Sequence, residues 1–232
     1  MLATSINLQL EPGQKVTLQP VSWERFEEIL TQLGAFRTSR IAYSNEILEI
    51  MAPLPEHERS KVLLADLVKV LLKIQKQAWE PFGSSTFKRR GMSAGIEPDD
   101  CFYIQNYQAV IGKQRIDLDI DPPPSGFAVA HGGNPQDHTV SPDLALETDV
   151  TSKTEVDAYE ALAVPELWVY SKGKLKINIL QKGKYIESQN SLIFPDLELI
   201  DIIPRFMQRS LVVGVSQTLE EFEDLAREIL LS

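Results

Sequence analysis

The chain has a single cysteine, Cys101, among its 232 residues. That excludes an intramolecular disulfide framework and a cysteine-rich zinc site. Long hydrophobic runs are missing too. The longest apolar stretches are broken by Lys and Asp, short of what a bilayer span needs. Met1 to Gln9 has neither the basic region nor the apolar core of a signal peptide, so the cytoplasm is the expected compartment and no membrane partner is expected. Basic residues are in the minority, 23 against 33 acidic, for a net charge of −10. Such a balance argues against a protein that coats nucleic acid through bulk charge. It leaves room for a local basic wall beside an acidic metal site. The chain shows no fixed-period repeat, no glycine-rich phosphate loop, no GxSxG elbow and no Cys/His pair with a credible third member.

What is present is the composition of a soluble globular protein, 43% hydrophobic and 24% charged, long enough for a sizeable core. The length suits one domain over residues 1–232. Val16 to Gln19 reads as a short strand. Ser22 is placed to cap a helix with an apolar stripe of Phe26, Ile29, Leu30 and Leu33, ended by Gly34. Ile41 to Met51 reads as a hairpin turning at Ser44-Asn45. The strongest helix starts near Glu56 and carries a wide apolar face from about Arg59 to Gln77, which suggests burial against a sheet. Strands are expected at Ser84–Arg90, Cys101–Gln105, Leu144–Val150 and Glu166–Tyr170, with a short helix at Glu155–Ala163. A meander of Leu175–Leu180 and Lys184–Ser188 follows, then a last helix capped by Thr218 with Glu221 closing the box. Residues 121–142, with three consecutive prolines and several glycines, read as a long loop. Hairpins outnumber strict βαβ units, so the expected class is mixed α+β with a central mixed sheet flanked by helices.

Chemistry concentrates in a few segments. On the strand from Leu144, alternation sends Leu144, Leu146 and Val150 to one face and Asp143, Ala145, Glu147 and Asp149 to the other. Carboxylates on one face of an otherwise apolar strand are costly to bury unless a cation neutralises them, and magnesium takes oxygens of this kind. An edge strand with its acidic face in water is the plainer alternative. A second acidic cluster, Glu97-Pro98-Asp99-Asp100, precedes Cys101 and also fits ordinary turn chemistry. Together the two clusters supply the convergent carboxylates that metal-assisted hydrolysis requires. His57 and Glu58 open the strong helix, where acidic residues also suit the helix dipole. His131 and His138 in the long loop have a spacing that would allow a zinc site. Lys88-Arg89-Arg90 is the one run of three basic residues, a candidate for phosphate contact or a solvated strand end.

These segments occur in order: Pro53-Leu54-Pro55-Glu56-His57-Glu58, Phe87-Lys88-Arg89-Arg90, Glu97 to Ile104, Pro142 to Thr151, and Tyr159 to Trp168. In that order the chain resembles the Uma family of bacterial restriction-endonuclease-like proteins, a branch of the PD-(D/E)XK nuclease superfamily, from about Trp23 to Phe206. The resemblance implies a restriction-endonuclease-like fold and a magnesium- or manganese-dependent endonuclease acting on DNA. It implies Asp99 and Glu147 as metal ligands, with Asp149 beside them and Glu58 completing the site from the helix. The third motif position, usually Lys, is Asp149 here. The position where relatives carry a Lys in the following helix is Glu155. Lys153, Lys88 and Arg89 are the candidates to replace that missing cation. The rival reading is a catalytically degenerate descendant of the fold, a binding or assembly module working as a homodimer.

Overall fold

The computed structural model describes residues 10–34, 38–113, 116, 118–119, 141–149 and 151–231. His131, His138, Val150 and most of the 121–142 loop lie outside the described residues. In chain order the elements are β1 (Lys15–Leu18), α1 (Trp23–Leu33), β2 (Arg40–Ser44), β3 (Ile47–Met51), α2 (Pro55–Ile74), β4 (Glu80–Pro81), β5 (Phe87–Arg89), β6 (Ala94–Ile96) and β7 (Asp100–Tyr103). They continue with β8 (Leu144–Glu147), α3 (Lys153–Ala161), β9 (Glu166–Ser171), β10 (Lys174–Gln181), β11 (Lys184–Ser188), α4 (Leu199–Val213) and α5 (Val215–Leu231). The class is mixed α+β.

The strands form two sheets. One is antiparallel, in the order β1-β3-β2-β6-β5. The other runs β11-β10-β9-β8-β7-β4 and is mixed, because β8 and β9 pair in parallel across the α3 crossover. The mixed sheet is the one expected from sequence. The separate antiparallel sheet, built around the β2–β3 hairpin, is not evident from local pattern.

Side-chain alternation distributes each strand between apolar layers. Ile41 and Tyr43 pack with Phe26 and Ile29 of α1, whereas Ala42 faces the second sheet. Phe102, Leu144 and Leu146 pack with Leu64, Leu67 and Leu71 of α2 and with Phe206 and Phe222 of α4 and α5. Cys101, Tyr103 and Ala145 face the opposite way, onto Ala158 and Tyr159 of α3 and Ala94 and Ile96 of β6. The two sheets therefore share a core in which α3 is embedded. The strand parity read at Leu144 holds, and it turns Glu147 toward α3.

Several local expectations need correction. The β2–β3 turn centres on Asn45-Glu46, both with positive φ, rather than on Ser44-Asn45. Helix α3 begins two residues early because Ser152 caps it and Glu155 closes the capping box. Helix α4 is not among the expected elements, and it holds Pro204 in its interior, where proline ordinarily weakens a helix. Its buried residues Leu199, Ile203, Phe206, Met207 and Ser210 nevertheless fall at helical spacing. Thr218 is not a cap. It lies inside α5, and its hydroxyl donates to the Gly214 carbonyl at 2.6 Å, while Glu221 bonds Arg209. Phe222, Leu225 and Ile229 of this last helix are expected from their spacing to face inward: Phe222 is buried and Leu225 packs against the core, but Ile229 is exposed.

Gly95 shows how closely α1 seats on its sheet. A Cβ there would stand 2.8 Å from Phe26 Cζ, and that ring is stacked on Tyr43 at 4.4 Å. Neither ring has room to withdraw. Gly95→Ala is expected to destabilise the fold by about 1–3 kcal/mol, the usual cost of overpacking. Urea denaturation checks this, and an unchanged midpoint would contradict the packing described.

Candidate nuclease centre at the junction of the two sheets

The centre begins with strand register. Strands β7 and β8 are antiparallel, with Asp100 opposite Leu146. One step further along the same register brings Asp99 opposite Glu147, and directly opposed side chains share a face. Asp99 is buried, and Thr148, next to Glu147, donates to its Oδ2 from both backbone N (2.7 Å) and Oγ1 (2.6 Å). Its Oδ1 forms an ion pair with Arg40 Nη1. The other arm of the same guanidinium, Nη2, donates to Glu58 Oε1 at 3.3 Å. Asp99, Glu147 and Glu58 thus gather around one arginine that heads β2.

Glu147 accepts a hydrogen bond from Tyr159 of α3. Its carboxyl is pushed up to about 8, first by burial and then by the charge of Glu155. The Tyr159 bond and the positive charge of Arg40 oppose that rise without cancelling it. Near neutrality Glu147 is therefore largely protonated. Glu155 is itself raised by burial and is committed to the Ser152 cap. This explains physically why a carboxylate, rather than a lysine, stands at that helix position.

Two further carboxylates line the junction. Glu97 accepts from Ile41 N (3.2 Å) and from Thr86 Oγ1. Glu49 accepts from Lys15 Nζ (3.2 Å), Ser152 Oγ (2.6 Å) and Thr154 Oγ1 (3.2 Å). Between Arg40, Lys15 and the carboxylates of Glu49, Glu97, Glu147 and Glu155 the void is about 10 Å³, about the least that holds one water.

The remaining expected residues divide. Asp143 shares the Glu147 face but anchors the turn after β7, accepting from Ile104 N (2.7 Å), Gln105 N (2.9 Å) and Asn106 N (3.3 Å). Asp149 lies past the end of β8, half exposed, with Oδ2 3.5 Å from His57 Nδ1. Lys153 is not brought to the centre. It is strongly exposed and pairs with Asp157 one helical turn on. Lys88 lines a cleft of about 860 Å³ that also reaches Arg40, Glu58, Lys61 and Glu97. There it is already bonded to Glu27 at 2.7 Å. Arg90 pairs with Glu24 at 2.7 Å, and its backbone N–H donates to Asp119. Arg89 occupies the end of β5 and is not among the residues that line this cleft.

Arg40, Tyr159, Thr148 and Glu49 were not singled out from sequence. The available signal was charge in the wrong company. Arg40 directly precedes an apolar strand, and Glu49 interrupts Leu48 and Ile50.

A sequence profile of the Uma2 family, described as "Putative restriction endonuclease", matches residues 23–211. The chain belongs to this family. Membership supports nuclease function in general, and the Uma2 profile spans every residue of the centre except Lys15. One solved structure to which the chain is similar is described as a "putative nuclease belonging to DUF820 from Anabaena variabilis ATCC 29413". Identity is 13%, covering 78% of this chain and 90% of that one, with a TM-score of 0.40. None of the curated proteins matches. No helix among the described residues is long and apolar enough to cross a membrane.

The divalent ion that the Uma2 resemblance implies can be tested against the donor set. The oxygens are of the hard type that magnesium prefers. As arranged, however, they face a guanidinium, and no three His, Cys, Asp or Glu groups among the described residues could hold a metal ion. The arrangement is complete with Arg40 and does not fit an ion beside it.

Glu147 has a consequence for stability. A carboxyl raised in the fold holds its proton more tightly folded than unfolded. The resulting stabilisation is full below the unfolded value of 4.5 and is lost as pH rises toward about 8. The protein is therefore expected to lose stability from about pH 5.5 to about pH 8.5. In Glu147→Gln, which cannot ionise, the loss should be smaller by about 3 kcal/mol. Urea titrations at both pH values check this, and parallel profiles would contradict it.

Proposed function

We propose that the chain is a nuclease that hydrolyses DNA phosphodiester bonds at the Asp99–Glu147 pair. The observation that carries this reading is the β7–β8 register, which extended by one step pairs Asp99 with Glu147, behind the Arg40 side chain that lines the cleft. The Uma2 family match spans both positions. Magnesium or manganese dependence is what the family resemblance implies. In this reading residues 1–232 act as one domain, the 860 Å³ cleft receives the nucleic acid, and Lys88 contacts phosphate after exchanging Glu27 for it.

Plasmid cleavage with manganese or magnesium tests the reading. Activity is expected in the wild type, with a loss of at least about 100-fold in Asp99→Asn, the order of magnitude that a positioned acid–base carboxylate contributes. Lys88→Ala should weaken DNA binding and reduce the slope of log affinity against log salt by about one, whereas Glu27→Gln should strengthen binding. An unchanged slope in Lys88→Ala would remove that residue from the phosphate path.

A second reading rests on a specific feature. The motif lysine position is Asp149, and the alternative helix position is Glu155, held in a capping box. With neither lysine in place, the chain would be a degenerate nuclease fold that binds without cutting. Absence of cleavage with retained DNA binding would select this reading.

A further inference from the structure

The disagreement between the family's divalent ion and this donor set points to a role for Arg40. Asp99 has two oxygens. Oδ2 is already used twice, by Thr148 N at 2.7 Å and Thr148 Oγ1 at 2.6 Å. Oδ1 is the oxygen left for a cation, and Arg40 Nη1 stands on it. Nη2 of the same group takes Glu58 at 3.3 Å. The side chains of Arg40 and Asp99 are each only 11% exposed, so water offers little screening and an unneutralised Asp99 would be costly. The void on the Glu147 side of Arg40, about 10 Å³, is about the size of one water, too small for an ion with a hydration shell. A divalent ion on Oδ1 would have to share that oxygen with a guanidinium of like charge, and the two repel at such a distance.

We infer that Arg40 is a built-in counter-ion occupying the cation position of the centre, so that a divalent ion and Arg40 compete for Asp99. Arginine suits this post. Its planar fork reaches two carboxylates in fixed geometry, and it stays protonated at any physiological pH. The protein then folds with its centre neutralised and without a metal. The competition concerns ion binding and does not depend on whether the protein cleaves DNA.

The experiment is a thermal titration with manganese alone on the wild type, Arg40→Gln and the double variant Arg40→Gln/Asp99→Asn. Without metal, Arg40→Gln should melt about 10 °C below the wild type, because a buried carboxylate has lost its partner. Manganese should restore stability to Arg40→Gln by mass action, with a midpoint at least about tenfold lower than in the wild type. The double variant should not respond. Equal midpoints, or a tighter wild type, would overturn the inference, since the ion would then coexist with the arginine. So would an Arg40→Gln protein that neither loses stability nor responds. If Arg40→Gln does not fold, Arg40→Lys replaces it. Its single ammonium cannot hold both Asp99 and Glu58, so manganese must still bind more tightly than in the wild type, as read by the free-manganese EPR signal. Plasmid cleavage measured alongside keeps the two readings apart. Competition without cleavage retires only the nuclease reading.

Discussion

Burying several carboxylates where two sheets meet is possible only if each is neutralised or hydrogen-bonded, and for Asp99 the Arg40 guanidinium meets that requirement. Asp99 and Glu58 lean on it directly, and its charge restrains the rise in the Glu147 carboxyl. The other junction carboxylates solve the same problem differently. Glu49 takes a lysine and two hydroxyls, Glu97 a backbone N–H and a hydroxyl, and Glu155 its own helix start. Glu147 alone meets it by keeping its proton. Removing one partner from such a network costs more than the pair contributes, because the group left behind remains buried.

The apolar architecture makes the polar junction possible. Helix α3 is the crossover that turns β8 and β9 parallel, and its buried face fills the space between the sheets. Tyr159 belongs to that face, so the hydroxyl that reaches Glu147 is positioned by core packing rather than by a loop. On the far side, α2 closes against Leu144 and Leu146 and delivers Glu58 from its first turn. Site and scaffold are therefore built from the same strands, read on alternate faces.

Much of this was legible from the chain alone. The period-two pattern at Leu144 gave the correct faces, and the wide apolar stripe of α2 gave its burial. The carboxylate segments before β7 and on β8 do meet. What stayed hidden was long-range. Arg40 lies 59 positions before Asp99 in the sequence, and nothing local announces which carboxylate it will face. Helix α4 was not anticipated, and the breaking tendency of its Pro204 is overridden by five buried side chains on one stripe. The basic run at Lys88 was visible, but its partners Glu27 and Glu24 come from α1, so composition could not reveal that these cations are already engaged.

That engagement affects how a polyanion would arrive. Arg40, Lys61 and Lys88 share the cleft with Glu27, Glu58 and Glu97, and lysine and carboxylate are bonded to each other within it. Paired charges present dipoles to an approaching strand, and dipolar fields fade faster with distance than those of free cations. With the whole chain at −10, long-range attraction cannot speed the encounter. If the cleft receives a nucleic acid, as proposed, recognition is settled at contact, by exchange of one partner for another, without electrostatic guidance.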